Sequence, residues 1–204
     1  MIRFLGKRMD YRFEATSIAG FVQQAVTYYR HGYHFYAPGT LTERCDVHAV
    51  DRAIISRYGL DLSKYQRYRR YQKGEAKVQY LRHGLVFAIF ATKGRHEVFS
   101  GEALDDVRTR PLRFAGYSIA VRNGRVSVRI EEKQFRVLLE VFKENAGSIS
   151  PGVFAALPFE AYEPIRRQFF RLLSAVNDER SARGLPLIPW SALRLRRRPV
   201  KVFE

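Results

Sequence analysis

The spacing of apolar positions alternates along the chain between a helical and an extended period. In SIAGFVQQAVTYYR, residues 17 to 30, Ile18, Phe21, Val22, Ala25, Val26 and Tyr29 recur at intervals of three and four. This predicts an amphipathic helix capped by Thr16 or Ser17 and ended by Gly32. GYHFYAPGTL follows, an aromatic, β-prone run closed by Pro38 and Gly39, and predicts a strand over about 33 to 41. In CDVHAVDRAIISRYG, Asp46 is placed to cap a second helix with Val47, Val50, Ile54 and Tyr58 on one face and Gly59 at its end.

The stretch KYQRYRRYQKG, residues 64 to 74, has tyrosine at every third position, five basic residues and no acid. Ser63 and Gln66 have capping-box spacing and Gly74 sits where a C-terminal glycine belongs, so a short helix is predicted. At about 100° per residue Tyr65, Tyr68 and Tyr71 share one sector. Lys64, Arg67, Arg70 and Lys73 spread over the opposite side with Arg69 flanking. The segregation predicts rings docked on the domain and a cationic face turned outward.

AKVQYLRHGLVFAIFAT reads as two strands, about 76 to 82 and 85 to 92, joined at His83 and Gly84. The apolar run from Leu85 to Ala91 predicts a strand central in its sheet or covered on both faces. SGEALDDVRTRP predicts one or two helical turns between Ser100 and Pro111. LRFAGYSIAVRNGRVSVRI is a hairpin, since Asn123-Gly124 supplies the positive φ angles of a two-residue turn. Beyond residue 130 the helical period returns, with Phe135, Leu138, Leu139 and Phe142 on one stripe and, after Pro164, Ile165, Phe169, Leu172, Leu173 and Val176 on another. The expected organisation is an α+β domain over 1–130, with an N-terminal helix, and a helical C-terminal extension over 131–204 ending in a basic tail. Residues 33 to 122 follow the strand and helix order of the ferredoxin-like βαββαβ sheet.

Composition narrows what such a chain binds. The 204 residues are 46% hydrophobic and 14% aromatic, enough for a real core, and carry a formal charge of +16. Excess like charge opposes folding unless a polyanion compensates it, which points to nucleic acid, RNA or DNA. Cys45 is the only cysteine, which excludes an intramolecular disulfide and a cysteine-based zinc cluster and suits a reducing compartment. The N-terminus MIRFLGKRMDYRFEA lacks the apolar core of a signal peptide and no apolar run approaches the roughly 20 residues that span a bilayer. A soluble protein, cytoplasmic or nucleoid-associated and without a membrane partner, is expected.

The strands HGLVFAIF and FYAPGT resemble the two short motifs of RNA-recognition-motif domains. The resemblance covers about 60 residues and implies that Tyr36 and Phe87 face outward to stack bases while Phe90 points into the core. Leu85 stands where that family usually has another stacking aromatic, and Val86 replaces a small residue. In strand order, size and basicity the chain also resembles the HUH-type tyrosine transposases and replication initiators. That group implies two metal-holding histidines flanking one apolar residue; RHGLVF holds only His83, and His96 is too distant to complete the motif.

The candidate phosphate contacts are Lys64, Arg67, Arg69, Arg70 and Lys73 on the tyrosine helix, and Arg194, Arg196, Arg197, Arg198 and Lys201 in the tail RLRRRPVK. Arg108, Arg110, Arg113, Arg122, Arg125 and Arg129 form a third basic group, read as the solvent face of the hairpin and its approach. For catalysis, His83 stands beside Arg82 at a strand turn as a general acid or base. Asp61 with Glu75 and Lys77 matches the acidic, Glu-x-Lys pattern of nucleases. His31, His34 and His48 show no metal-ligand spacing, and neither a metal nor a cofactor is predicted. The expected function is therefore binding of RNA or DNA through the phosphate backbone, with RNA or single strands preferred over duplex. A structure-specific nuclease or transposase-like enzyme is the alternative, and an assembly protein that meets an acidic partner chain or a second copy of itself is the third.

Overall fold

The computed structural model describes residues 11–95, 104–193, 195–197 and 199–204. The chain is α+β and forms two compact units, one holding the residues up to Arg110 together with Lys201–Glu204, the other Pro111–Val200. Among the described residues no helix is long and apolar enough to cross a membrane.

In the first unit helix α1, Ile18–Arg30, begins at Ser17, whose side chain accepts from the Gly20 amide. Its predicted stripe is buried from Phe21 to Tyr29, while Ile18 stays exposed. Strand β1, Phe35–Thr40, is followed by α2, Val47–Arg57, capped by Asp46, and by α3, Lys64–Gln72. Strands β2, Val78–His83, and β3, Val86–Ala91, form the expected hairpin, and β4 is the two-residue strand Asp105–Asp106. The sheet runs β2-β3-β1-β4 with every neighbouring pair antiparallel. Outside β2 the segment around Glu14 pairs with Arg82 in parallel, through Arg82 N to Phe13 O and Ala15 N to Arg82 O at 2.9 and 2.8 Å.

Side chains alternate across this sheet, and both sets are covered. On one face Phe90, opposite Tyr36 in register, packs against Tyr28 and Tyr29 of α1. On the other, Val78, Tyr80 and Ile89 form a cluster with Tyr58 and Leu60, and Phe13, Ile54, Ile55 and Phe87 pack against it. Gly39 lies beneath the Phe87 ring so closely that an added Cβ would come within 2.2 Å of it. That close approach is the local reason for a glycine in the strand.

Two expectations change here. Of the segment expected to turn helically before Pro111, residues 104–110 form β4 and a turn, with Arg110 N donating to Asp106 O at 2.8 Å, and the part before 104 lies outside the described residues. The Asn123-Gly124 hairpin, expected within the first sheet, belongs to a second one. Its strands β5, Leu112–Phe114, β6, Tyr117–Arg122, and β7, Arg125–Ile130, form a separate antiparallel sheet in the second unit. The turn is as predicted, with φ of 50° and 72° at Asn123 and Gly124.

The compact units accordingly divide at Pro111, where the sequence reading divided the chain at 130. The cause is the cover of the hairpin. Its inner residues Ile119, Val128 and Ile130 are buried, and α6, Glu163–Ala182, packs on β7. Gln168 of α6 donates to Ile130 O at 3.0 Å and accepts from Ile130 N at 2.8 Å, satisfying both backbone groups of the strand end. Helix α4, Glu132–Glu144, packs on α6, and the short α5, Pro151–Ala155, supplies the buried Phe154.

Candidate nucleic-acid interface

Helix α3 is held by polar chemistry. Ser63 Oγ accepts from Gln66 N at 3.3 Å and Gln66 Oε1 accepts from Ser63 N at 2.9 Å, the reciprocal capping box that the sequence predicts. None of its residues is fully buried. The expectation of docked tyrosines is reversed: Tyr65, Tyr68 and Tyr71 are 62%, 58% and 45% exposed, while Arg67 and Arg70 are half-buried. The physical reason lies in what waits beneath the helix. Glu75 accepts from Arg70 Nε at 2.6 Å, and Arg70 Nη1 lies within 2.7 Å of where a Cβ on Gly59 would stand. Gly59 has φ of +59°, so a side chain there would meet both backbone strain and the guanidinium. Arginine stems are apolar enough to line the domain while their heads seek a carboxylate.

The outward rings stand among cations. The Arg69 guanidinium lies 4.6 Å from the centroid of Tyr65, and Lys77 Nζ lies 3.9 Å from that of Tyr71. Lys64, Arg69 and Lys73 are exposed. Exposed rings and exposed cations on one short helix can stack bases and contact the phosphates between them. Compared with known proteins, the chain matches no family model and no curated protein.

The strand aromatics do not join this surface. Tyr36 is buried, 2% exposed, and its hydroxyl donates to Arg110 O at 3.1 Å. Phe87 is half-buried over Gly39 and edge-on to Tyr80, with centroids 5.7 Å apart. Both are packing residues, because the faces on which they were expected to stack bases are covered.

The described residues of the basic tail are divided between the two units. Arg194 and Arg198 lie outside the described residues. Arg196 lines a hollow with Phe159 and Phe169, and the Arg197 guanidinium sits 4.7 Å from the centroid of Tyr162, all in the second unit. Lys201 belongs to the first unit, where its carbonyl accepts from Thr16 Oγ1 at 2.9 Å and its side chain is exposed. In the third basic group Arg108, Arg110 and Arg113 pair with Asp106, Asp105 and Glu131 at 2.6, 2.9 and 3.3 Å. The hydrogen bonds from Arg108 hold the Asp106 carboxyl below its usual range.

Three of the four candidate catalytic residues have structural partners. His83 is half-buried with Nδ1 2.8 Å from Ala15 O. Glu75 is bonded to Arg70, Lys77 lies over Tyr71, and Asp61 is exposed. Among the described residues no group of three or more His, Cys, Asp or Glu side chains comes together as a metal site requires. His96 lies outside the described residues.

One constellation escaped the sequence reading. Asp51, the only fully buried residue of α2, accepts from Tyr80 Oη at 2.6 Å and from Arg82 Nε and Nη2 at 3.0 Å each. Arg82 Nη2 also reaches Glu14 Oε2 at 3.0 Å, and Nη1 donates to Gly84 O at 2.8 Å. Burial works against the charge on Arg82, but Asp51 and then Glu14 outweigh it and hold the proton more firmly than usual. Burial, followed by the hydrogen bond to Asp51, raises the Tyr80 hydroxyl well above its ordinary value. The signal was Arg82 itself, placed at period two on the Val78 and Tyr80 face of a buried strand.

Proposed function

We propose that this protein binds nucleic acid through its phosphate backbone, single strands in preference to duplex, with α3 as the principal contact. The observation that carries the reading is the exposure of Tyr65, Tyr68 and Tyr71 beside the exposed cations Lys64, Arg69 and Lys73. Rings facing solvent offer stacking platforms that a duplex, whose bases are already stacked, cannot use. The charge of +16 supplies attraction over the rest of the surface. The order β2-β3-β1-β4, antiparallel throughout, supports reading the first unit as a relative of the ferredoxin-like sheet, with β4 as a shortened fourth strand. In that reading helices lie on both sheet faces and the binding surface has moved to the insertion between α2 and β2.

The test is a salt series with labelled single-stranded and duplex RNA and DNA, each endpoint run on a denaturing gel with and without Mg²⁺. Single strands should bind more tightly and stay intact, with log affinity falling by roughly 0.7 per phosphate neutralised against log salt. Absence of binding at low salt, or equal affinity for duplex with no effect of the three tyrosines, would overturn the reading. Cut strands would turn it into a nuclease.

A further inference from the structure

Beneath α3 lies a cavity of about 250 Å³, walled by the inner side of the helix, Tyr33, the 58–60 segment and the start of β2. Ligand pockets for small molecules usually run from about 300 Å³ upward, so this one suits a single compact ligand. Its lining is unusual in two respects. Four cations, Lys64, Arg67, Arg70 and Lys77, face it with one acid, Glu75, which Arg70 already binds. Arg67 Nε is buried and, among the described residues, has no hydrogen-bond partner. A buried donor left unmade costs about 1–3 kcal/mol, which a shift of the guanidinium onto an anionic oxygen held in the cavity would offset. Flat rings complete the wall: Tyr33 on one side, Tyr68 and Tyr71 at the exposed rim.

We propose that the cavity receives one nucleotide, its phosphate on Arg67 with Lys64 and Lys77 and its base against Tyr33 and Tyr68. The ligand chemistry is that of a nucleoside monophosphate, taken from a bound strand or free in solution; the first source rests on the nucleic-acid reading given above. Tyr65, Arg69 and Lys73, which do not line the cavity, then hold the strand, while Lys64 and Tyr68 at the rim pass one unstacked member of it inward. Phosphate alone would leave the rings unused, and a nucleoside alone would leave the cations without an anionic partner.

Two titrations of the full chain test this. Calorimetry with nucleoside 5′-monophosphates, the matching nucleosides and inorganic phosphate reads the cavity, and anisotropy with labelled oligonucleotides reads the strand. Each is repeated on Arg67→Met, on Arg67→Lys, which keeps the charge without the Nε donor, and on Arg69→Gln of the outer face, after a thermal melt confirms folding. The monophosphate should bind at least tenfold more tightly than nucleoside or phosphate, and both Arg67 variants should lose at least tenfold while Arg69→Gln does not. If Arg67→Met also weakens the oligonucleotide, the nucleotide comes from the strand, even if free monophosphate binds too weakly to measure. If only the monophosphate is affected, the source is a free nucleotide. Oligonucleotide binding untouched by Arg67→Met, with no monophosphate binding, overturns the cavity proposal and leaves the outer-face reading standing. Monophosphate binding without oligonucleotide binding does the reverse, and neither ligand binding removes both.

Discussion

Two arginines of the first unit are drawn inward under opposite conditions. Arg82 is closed in by Asp51, Glu14, Tyr80 and a backbone carbonyl, with 4% of its side chain exposed. Arg67 lines a cavity rich in cations and carries a buried Nε that finds no partner among the described residues. A satisfied charge belongs to the fold, whereas an unmade buried donor beside a cavity costs stability in the free protein. The two sites predict opposite responses to the same substitution. Arg82→Met leaves Asp51 buried and uncompensated and should cost about 3–5 kcal/mol in chemical denaturation. Arg67→Met keeps the stem, removes the unmade donor, and should leave stability level or raise it by about 1 kcal/mol. Equal losses at both positions would mean that Arg67 is as structural as Arg82. The double change Asp51→Leu with Arg82→Met should recover most of the loss, because it removes both charges together.

Alkali tests the buried hydroxyls of the first unit by a smaller margin. Burial raises the Tyr28 hydroxyl to about 12, with the Gln24 hydrogen bond acting against the shift. An unfolded tyrosine titrates near 10. The folded state therefore holds the proton more tightly, and its contribution is fully present below pH ~10 and lost as pH climbs to about 12. The loss from Tyr28 is of order 2 kcal/mol. Tyr80, raised by burial and by Asp51, acts in the same direction. A denaturation midpoint that stayed flat across this window would show that these hydroxyls ionise without unfolding the core. Tyr28→Phe should remove its share of the dependence without altering strand affinity.

Much of the frame was legible from residue order. The caps Ser17, Asp46 and Ser63, the β2-β3 hairpin, the Asn123-Gly124 turn and the α6 stripe are each set by local chemistry, and each forms as predicted. The direction of α3 was not legible, since segregation of rings from cations says that the helix has two faces and not which one the domain wants. That choice was made by Glu75 and by the contact at Gly59, both outside the helix. Long-range pairing hid Asp51 and Arg82 in the same way, their partnership joining α2 to β2 across 31 residues. The open sheet expected from the strand aromatics failed because α1 and the Tyr58–Leu60 cluster cover opposite faces.

Replacing the outward rings sharpens the contrast between helix and core. Tyr65→Ala, Tyr68→Ala and Tyr71→Ala should each weaken single-strand binding by about 1–3 kcal/mol where a base stacks. Stability should move by no more than about 0.5 kcal/mol, as for surface positions generally. Phe169→Ala in α6, which is 1% exposed, should cost about 3–5 kcal/mol in folding. Tyrosine variants that unfold the protein while leaving the binding of the surviving fraction unchanged would assign the rings to packing.

The smallest effect tests how far α3 stands apart from the fold that carries it. Ser63→Ala removes the acceptor for Gln66 N and breaks the reciprocal pair, a loss of about 1 kcal/mol for the helix. Because α3 buries no residue completely, that loss should appear as local opening rather than global unfolding. Amide exchange should accelerate over 66 to 72 while the denaturation midpoint stays where it was, and strand affinity should fall by the fraction of time the helix is frayed. Ser63→Asp restores an acceptor and adds negative charge near the helix N-terminus, so it should recover the slow exchange. The added acid should still weaken strand binding slightly if the phosphates run past that end. A midpoint that shifts by the full capping energy would instead bind α3 into the cooperative core, and its rings would then be exposed as part of the fold rather than held on a separately tunable surface.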